Sequence, residues 1–307
     1  MLLDTASLYF RAFYGVPDTV RAPDGRPINA VRGLLDFIAR LVTTHGPTDL
    51  VCCWDNDWRP QWRVELIPTY KAHRVLTTVP EVDVEVTPDA LEAQIPIIVE
   101  VLATLGIAVV GADHFEADDV IGTLATTASC PVDIVTGDRD LFQLVDDARG
   151  VRVMYTARGV GQLEILNDAA IVSKYGVLPE QYVDFAVLRG DASDGLPGVA
   201  GIGAKTAASL LQQYGDLGSV LEAATDERSS LAVGVRSKLR AAADYLSVAP
   251  QVVAVARDID LPAVPTAITS VDGDSLREAE RLAEQYGLGS SMTRVLAALG
   301  QVSSSAE

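Results

Sequence analysis

Phe115-Glu116-Ala117-Asp118-Asp119-Val120 sets three carboxylates within four positions, directly before apolar residues at helical spacing, Val120, Ile121, Leu124 and Ala125. A helix N-terminus favours negative charge, because its first amides are free and its dipole is positive there. Alone, the stretch is a well-capped helix start. Its surroundings give a second reading. Upstream lies a short apolar block, Ile107 to Val110, and downstream another, Val132 to Val135, which ends in Thr136-Gly137-Asp138-Arg139-Asp140. Further out, Met1 to Asp4 and Asp49 to Asp55 are apolar blocks that also end in an acid. Helical segments separate them. Asn29 to Val42 carries Val31, Leu34, Leu35, Ile38, Leu41 and Val42 on one face, and Pro88 to Leu105 forms a second, with Pro96 as a kink point. This alternation predicts an α/β fold whose mostly parallel sheet is covered on both faces. Ligands bind such sheets beyond the carboxyl ends of the strands. Asp4, Asp55 and Asp138 fall there, and Glu116 begins the helix after another strand.

The chain of 307 residues is 49% apolar and 21% charged, with room for one large domain or two moderate ones. No apolar run is long enough to cross a membrane, and the N-terminus lacks the basic segment and apolar core of a signal peptide. Cys52 and Cys53 lie inside an apolar block and Cys130 stands alone, so neither a disulfide framework nor a zinc spacing is present. His45, His73 and His114 are far apart. These features predict a cytoplasmic protein with no membrane partner. The net charge of −18 excludes binding of nucleic acid through general positive charge. Phosphates would have to be met by local basic patches or bound cations.

Other stretches fill in the organisation. Ser7 to Tyr14 is aromatic and carries Arg11, and in Trp58 to Arg74 both Trp62 and Tyr70 are followed closely by basic residues. Val75 to Val86 is rich in valine and acids, Glu81, Asp83 and Glu85, without a clear period. Beyond about Tyr175 the composition is helical and turn-rich, with Val252 to Leu261 expected to return as a strand and the small, polar end from Gln301 expected to be disordered.

Nine carboxylates, Asp4, Asp55, Glu116, Asp118, Asp119, Asp138, Asp140, Asp191 and Asp194, are positioned to converge on one pocket. So many like charges stay ionised only if cations neutralise them. Oxygen donors without histidine or cysteine select Mg²⁺ or Mn²⁺. Two such ions roughly 3.5–4 Å apart suit in-line displacement at phosphorus by a metal-activated water. Gly198-Val199-Ala200-Gly201-Ile202-Gly203-Ala204-Lys205-Thr206 supplies something different: glycines that allow close backbone approach, then a helix start with a lysine. It is either a plain glycine-rich connection or a phosphate site for a nucleic-acid backbone.

Taken together, Asp4, "CWD" at 53–55, "EADD" at 116–119, "GDRD" at 137–140, "GDASDGLPG" at 190–198 and "GVAGIGAKTA" at 198–207 resemble the 5′ nuclease (flap endonuclease) family, in family order. The similarity runs from residue 1 to about 298 and is greatest to the 5′-exonuclease domain of bacterial DNA polymerase I, here expected as a stand-alone protein. The resemblance implies a PIN-like core over 1–175 with a helical arch at about 63–90. It also implies a helical DNA-binding subdomain over 176–298 with a helix-hairpin-helix motif at 198–214; residues 299–307 are left as a disordered tail. It makes the nine acids the metal ligands of two or more Mg²⁺ or Mn²⁺ ions and assigns Lys71, Arg74 and Arg11 to catalysis. Phe13, Tyr70, Gly198, Gly201, Gly203, Lys205 and Thr206 become DNA contacts, with K⁺ at the hairpin. The implied partner is DNA with 5′ flaps, nicks or 5′ ends, with RNA primers in RNA–DNA, bound by a monomer.

Three departures stand out. Phe10 occupies a position where relatives often carry tyrosine, Gly195 replaces the asparagine of "SDN", and the arch region is long and acidic. The rival readings are a PIN-type endoribonuclease and a non-catalytic DNA-junction binder. A phosphatase of similar topology lacks support, because position 6, two residues after Asp4, is alanine.

Overall fold

A computed structural model describes residues 1–79 and 82–306; side chains at 77–79, 82, 305 and 306 fall outside that description, as does Glu81, one of the arch acids noted above. The first half alternates as the apolar blocks predict. It runs β1 (Leu2–Asp4), α1 (Thr5–Gly15), α2 (Asn29–His45), β2 (Val51–Trp54), α3 (Gln61–Leu66), β3 (Val75–Val79) and β4 (Val82–Glu85). It continues with α4 (Asp89–Glu92), α5 (Ile95–Thr104), β5 (Ala108–Gly111), α6 (Ala117–Thr127), β6 (Val132–Thr136), β7 (Val151–Tyr155) and β8 (Glu164–Leu166). Helices follow: α7 (Asp168–Tyr175), α8 (Tyr182–Arg189), α9 (Ala204–Tyr214), α10 (Leu217–Thr225), α11 (Val233–Ala241), α12 (Ala243–Val253), α13 (Gly273–Tyr286) and α14 (Gly289–Ala306).

Six strands form the main sheet in the order β5-β2-β1-β6-β7-β8, parallel throughout except for β8. Side chains alternate faces along a strand, and two apolar clusters take the two sides. Leu2, Val51, Cys53, Ile134 and Val153 join α6 and α8 in one cluster; Leu3, Cys52, Val135 and Met154 join α2 and α5 in the other. Burial on both faces is why these strands read as continuous apolar blocks rather than alternating ones. From β1 the sheet grows one way through β2 and β5, then the other way through β6 and β7. The switch places a crevice at the carboxyl ends of β1 and β6.

Four expectations need correcting. In place of a helical arch, β3 and β4 pair antiparallel, with Thr78 opposite Asp83 and Val79 opposite Val82. The missed signal is a period of two: Val82, Val84 and Val86 alternate with Asp83 and Glu85, and β-branched residues suit extended backbone. Second, Pro88 to Leu105 is two helices rather than one kinked helix. Pro96 lies in the first turn of α5, where its missing N–H costs nothing. At the break, buried Gln94 accepts from Ala30 N at 2.8 Å and donates to Asn29 Oδ1 at 3.1 Å, capping α2.

Third, Val252 to Leu261 does not return as a strand. Its backbone is satisfied by side chains: Arg63 Nε donates to Val252 O at 3.1 Å, and Ala256 N donates to Asp119 Oδ1 at 2.8 Å. Fourth, the tail is helical through Ala306, and α13 and α14 leave the helical subdomain to pack on the α2 side of the sheet. Ala279, Leu282, Val295 and Leu299 are buried in the same cluster as Leu34 and Ile38. Met292, Val295, Leu299 and Val302 continue a three-four spacing into the end that composition alone marked as disordered.

Candidate active site

The carboxyl ends of β1, β2 and β6 and the start of α6 surround a cavity of about 200 Å³, lined by Asp4, Asp55, Asp118 and Asp138 among others. Asp4 ends β1 and caps α1, its Oδ1 accepting from Ser7 N at 3.1 Å. Its other oxygen accepts from Thr136 Oγ1 at 2.7 Å, and that hydroxyl accepts from Asp138 N at 2.8 Å. Thr136 therefore ties the ends of β1 and β6 together. Asp55, just past β2, accepts from Ala117 N at 2.7 Å, using a free amide at the start of α6.

The acids divide by electrostatics. Burial, with Asp55 and Asp138 nearby, pushes Asp4 up to about 7 despite its two hydrogen bonds. Burial and then Asp138 and Asp4 hold Asp118 well above the usual carboxylate range. Burial and then Asp138, Asp194 and Asp191 do the same to Asp140. Asp194, buried and near Asp138, rises to about 6 even with Lys71 and Arg74 opposing. Asp55 is raised by burial as well. Glu116 behaves oppositely: burial would raise it, but Lys71 and Arg63 hold it below the ordinary value.

Of the nine acids expected to converge, Asp140, Asp191 and Asp194 do not line this cavity, and Asp119, expected as a metal ligand, is sealed off from it. It is fully buried beneath α6, where Arg63 takes both oxygens at 2.7 and 2.8 Å and the amides of Ala256 and Glu116 complete its shell. Four donors leave no free lone pair for a cation. Glu116 does reach the cavity wall, but it is paired with Lys71 and accepts from Arg63 Nη1 at 3.0 Å and Tyr70 OH at 2.7 Å.

Lys71 and Arg74 both line the cavity. Lys71 is buried in a left-handed backbone conformation, φ +48°, which a lysine adopts only where surrounding structure holds it. The loop at 190–198 does so: Lys71 N donates to Asp194 O at 2.9 Å, and Arg74 Nη2 reaches Ser193 O at 2.7 Å and Asp194 Oδ1 at 3.0 Å. A side chain at Gly195 (φ +71°) would put its Cβ 2.0 Å from Thr69 O, so the departure to glycine permits this close docking. Arg11 lies near Gly137, and its Nε is buried with no hydrogen-bond partner. Asp191 is paired with Arg189 at 2.9 Å.

Two expected DNA contacts point elsewhere. Tyr70 is buried with its hydroxyl on Glu116, so its ring cannot stack on a base; Phe13 packs against the core and edge-on to Tyr14, while Phe10 lines the cavity. The glycine hairpin is outside the cavity, between α8 and α9. Gly201, Gly203 and Lys205 are exposed at the start of α9, and Thr206 is half-buried. Sequence reasoning missed Arg63, Thr136 and Ser7, and it noted Glu85 only as an acid of the arch, without a place at the cavity. All act through long-range contacts; only the density of cationic and aromatic residues between 58 and 74 hinted at Arg63.

All candidate donors are carboxylate oxygens, and burial plus mutual repulsion raises five of them, Asp4, Asp55, Asp118, Asp140 and Asp194; both features fit hard divalent cations. Among the described residues, no group of three or more His, Cys, Asp or Glu side chains is drawn together as a formed metal cluster. No helix among them is long and apolar enough to cross a membrane.

An acid-lined crevice at the carboxyl ends of a parallel sheet, beside a glycine hairpin on a helical subdomain, defines a class of α/β nuclease. The comparisons give the family. Residues 1–176 match the "5'-3' exonuclease, N-terminal resolvase-like domain" and residues 177–275 the "5'-3' exonuclease, C-terminal SAM fold". The chain belongs to the 5′-3′ exonuclease family. It is 58% identical over 300 residues to a 5′-3′ exonuclease of Streptomyces coelicolor, covering 97% of this chain and 99% of that one. It is 42% identical over 243 residues to DNA polymerase I of Mycobacterium bovis, covering 78% of this chain and 25% of the polymerase. The fold is shared with phage T5 D15 protein co-crystallised with metal ions: TM-score 0.65, 16% identity, 97% of this chain and 98% of that chain.

Proposed function

We propose that the protein is a structure-specific 5′ nuclease that hydrolyses DNA phosphodiesters at 5′ flaps, nicks and 5′ ends with Mg²⁺ or Mn²⁺, acting as a monomer. One observation carries the reading. Asp4, Asp118, Asp140 and Asp194 are crowded beside Asp138 at a sheet's carboxyl end, and all four are raised by burial and by Asp138. Such a group is unfavourable until cations join it. Asp4, Asp55, Asp118 and Asp138 would hold them, with Asp140, Asp191 and Asp194 on the second side and Glu116 at the wall. Bound there, divalent ions would neutralise the carboxylates, acidify water and stabilise a leaving oxygen.

The chain's own groups do the rest. Arg74, partly exposed at the cavity, meets the incoming phosphate; Lys71 orients Glu116; Arg11 holds an unused donor near the Gly137 turn. The first amides of α9, together with Lys205 and Thr206, present donors to a duplex phosphate backbone at Gly198, Gly201 and Gly203. K⁺ at this hairpin is less favoured, because Lys238 Nζ already donates to Gly201 O at 2.9 Å. RNA primers in RNA–DNA are a further substrate to test.

Asp138→Asn is the direct test. The variant should fold as the wild type, yet cleave an end-labelled flap roughly 10²-fold or more slowly in Mg²⁺ or Mn²⁺. Near-wild-type cleavage by a folded variant would remove the cation site from the mechanism. Parallel DNA and RNA flaps separate this reading from an endoribonuclease.

A further inference from the structure

One wall of the cavity has no part in the reading above. β4 brings Glu85 to it, beside Asp55, Trp58, Lys71 and Arg74. The hairpin is held in place there. Trp58 Nε1 donates to Asp83 O at 3.1 Å, the Arg59 guanidinium pairs with the Asp83 carboxylate, and Val86 N donates to Arg74 O at 2.8 Å. Arg59 is fixed in turn, its Nε on Tyr70 O at 2.5 Å and Nη2 on Pro68 O at 3.0 Å. The base of the hairpin is thus anchored to the segment that carries Lys71 and Arg74. Strand alternation puts Asp83 and Glu85 on one face, toward this wall, and Val84 and Val86 on the other, where both are exposed.

The position has a cost. Glu85 is half-buried; burial raises it and Arg74 draws it back, while Asp55 pushes it up again. The cavity's described lining holds two cations, and Lys71 is already committed to Glu116. Arg74 reaches Ser193 and Asp194 through Nη2 but is partly exposed, so it is the cation that an entering phosphodiester would meet, and Glu85, lining the same cavity, offers it a second anion beside Asp194.

We propose that Glu85 is an affinity-tuning residue of the cavity, a carboxylate that competes with DNA phosphate for Arg74 and is displaced from it when a strand enters. This rests on the flap-nuclease reading. A competing anion weakens every DNA by the same factor, so it acts through KM. A junction that also grips the glycine hairpin saturates the enzyme and loses no rate. A bare single strand, held at the cavity alone, stays below saturation and is disfavoured.

The test compares wild type with Glu85→Gln and with Glu280→Gln, which removes the same charge from an exposed site on α13. Affinity for flap and single-stranded DNA is read by fluorescence anisotropy in EDTA, cleavage kinetics in Mn²⁺, and Mn²⁺ affinity by calorimetry. Glu85→Gln should bind both DNAs about fivefold more tightly and lower KM by the same factor, with Mn²⁺ affinity retained and Glu280→Gln at the wild-type values. Unchanged binding would overturn the proposal. So would weaker Mn²⁺ binding with reduced kcat, which would make Glu85 a cation ligand. A wild type inert on every DNA would overturn the nuclease reading instead, while the comparison in EDTA would still report the competition.

Discussion

Asp118 and Asp119 are adjacent in sequence and opposite in circumstance. Asp119 and Glu116 sit three apart, on one face of α6, and form a reciprocal capping box. That face turns toward Arg63, Lys71 and Tyr70, and the protein neutralises it with its own cations. Asp118 lies on the other side of the first turn and faces Asp4 and Asp138, where burial and like charge push it well above the usual carboxylate range. One acidic run thus serves two purposes. Two of its three acids are structural, completed within the fold, and the third, Asp118, is the one we propose for cations from solution.

The comparison breaks most visibly at Arg63. All five of its N–H groups are used, on Asp119, Glu116 and the carbonyls of Val252 and Ala254. Arg63→Ala would leave Asp119 buried and uncompensated, a loss of about 3–5 kcal/mol. Denaturant unfolding should show it, and a variant within 1 kcal/mol of wild type would mean that Asp119 is not held as described.

The crowded, buried acids answer to pH. Asp4 at about 7 and Asp194 at about 6 stand above the ordinary aspartate value of 3.8. Between those values the folded, metal-free protein holds more protons than the unfolded chain, so stability falls as pH rises from about 4 to about 7. A tenfold change in proton affinity is about 1.4 kcal/mol, and the two groups together reach a few kcal/mol. Glu116 has the opposite sign, since its lowered value contributes stability that is lost as pH falls, but it is one group against several. Thermal melts in EDTA should therefore give a higher Tm at pH 5 than at pH 7.5, and Mn²⁺ should restore the loss at pH 7.5. A Tm in EDTA that rises toward pH 7.5 would contradict the division of the acids.

Much of this was legible in sequence, for a definite reason. Asp4, Asp55 and Asp138 follow apolar blocks, and a parallel sheet delivers such residues to one edge whatever the rest of the chain does. The fate of Asp119 was not legible, because it depends on Arg63, 56 positions away. Helical phase alone could have separated Asp118 from Asp119, but nothing local says which face meets a cation. The β3–β4 hairpin was missed although its valines alternate, because acids at every second position mimic a disordered charged loop. The helical end was missed because small polar residues between Leu299 and Ala306 hide a stripe only two residues wide.

Tyr70 gives the smallest and sharpest test of the division. Its motif neighbours suggested a DNA contact, yet the hydroxyl is spent inside the fold on Glu116 Oε1 at 2.7 Å. Tyr70→Phe removes that donor and keeps the buried ring. Glu116 would still hold Arg63 and Lys71, so the cost should be about 1.5 kcal/mol, the low end for a hydrogen bond to a charged group. Because Tyr70 belongs to the part neutralised from within, DNA affinity in EDTA should stay at the wild-type value while Tm falls by a few degrees. A variant with unchanged Tm and weakened DNA binding would move Tyr70, and Glu116 with it, to the part that faces the substrate.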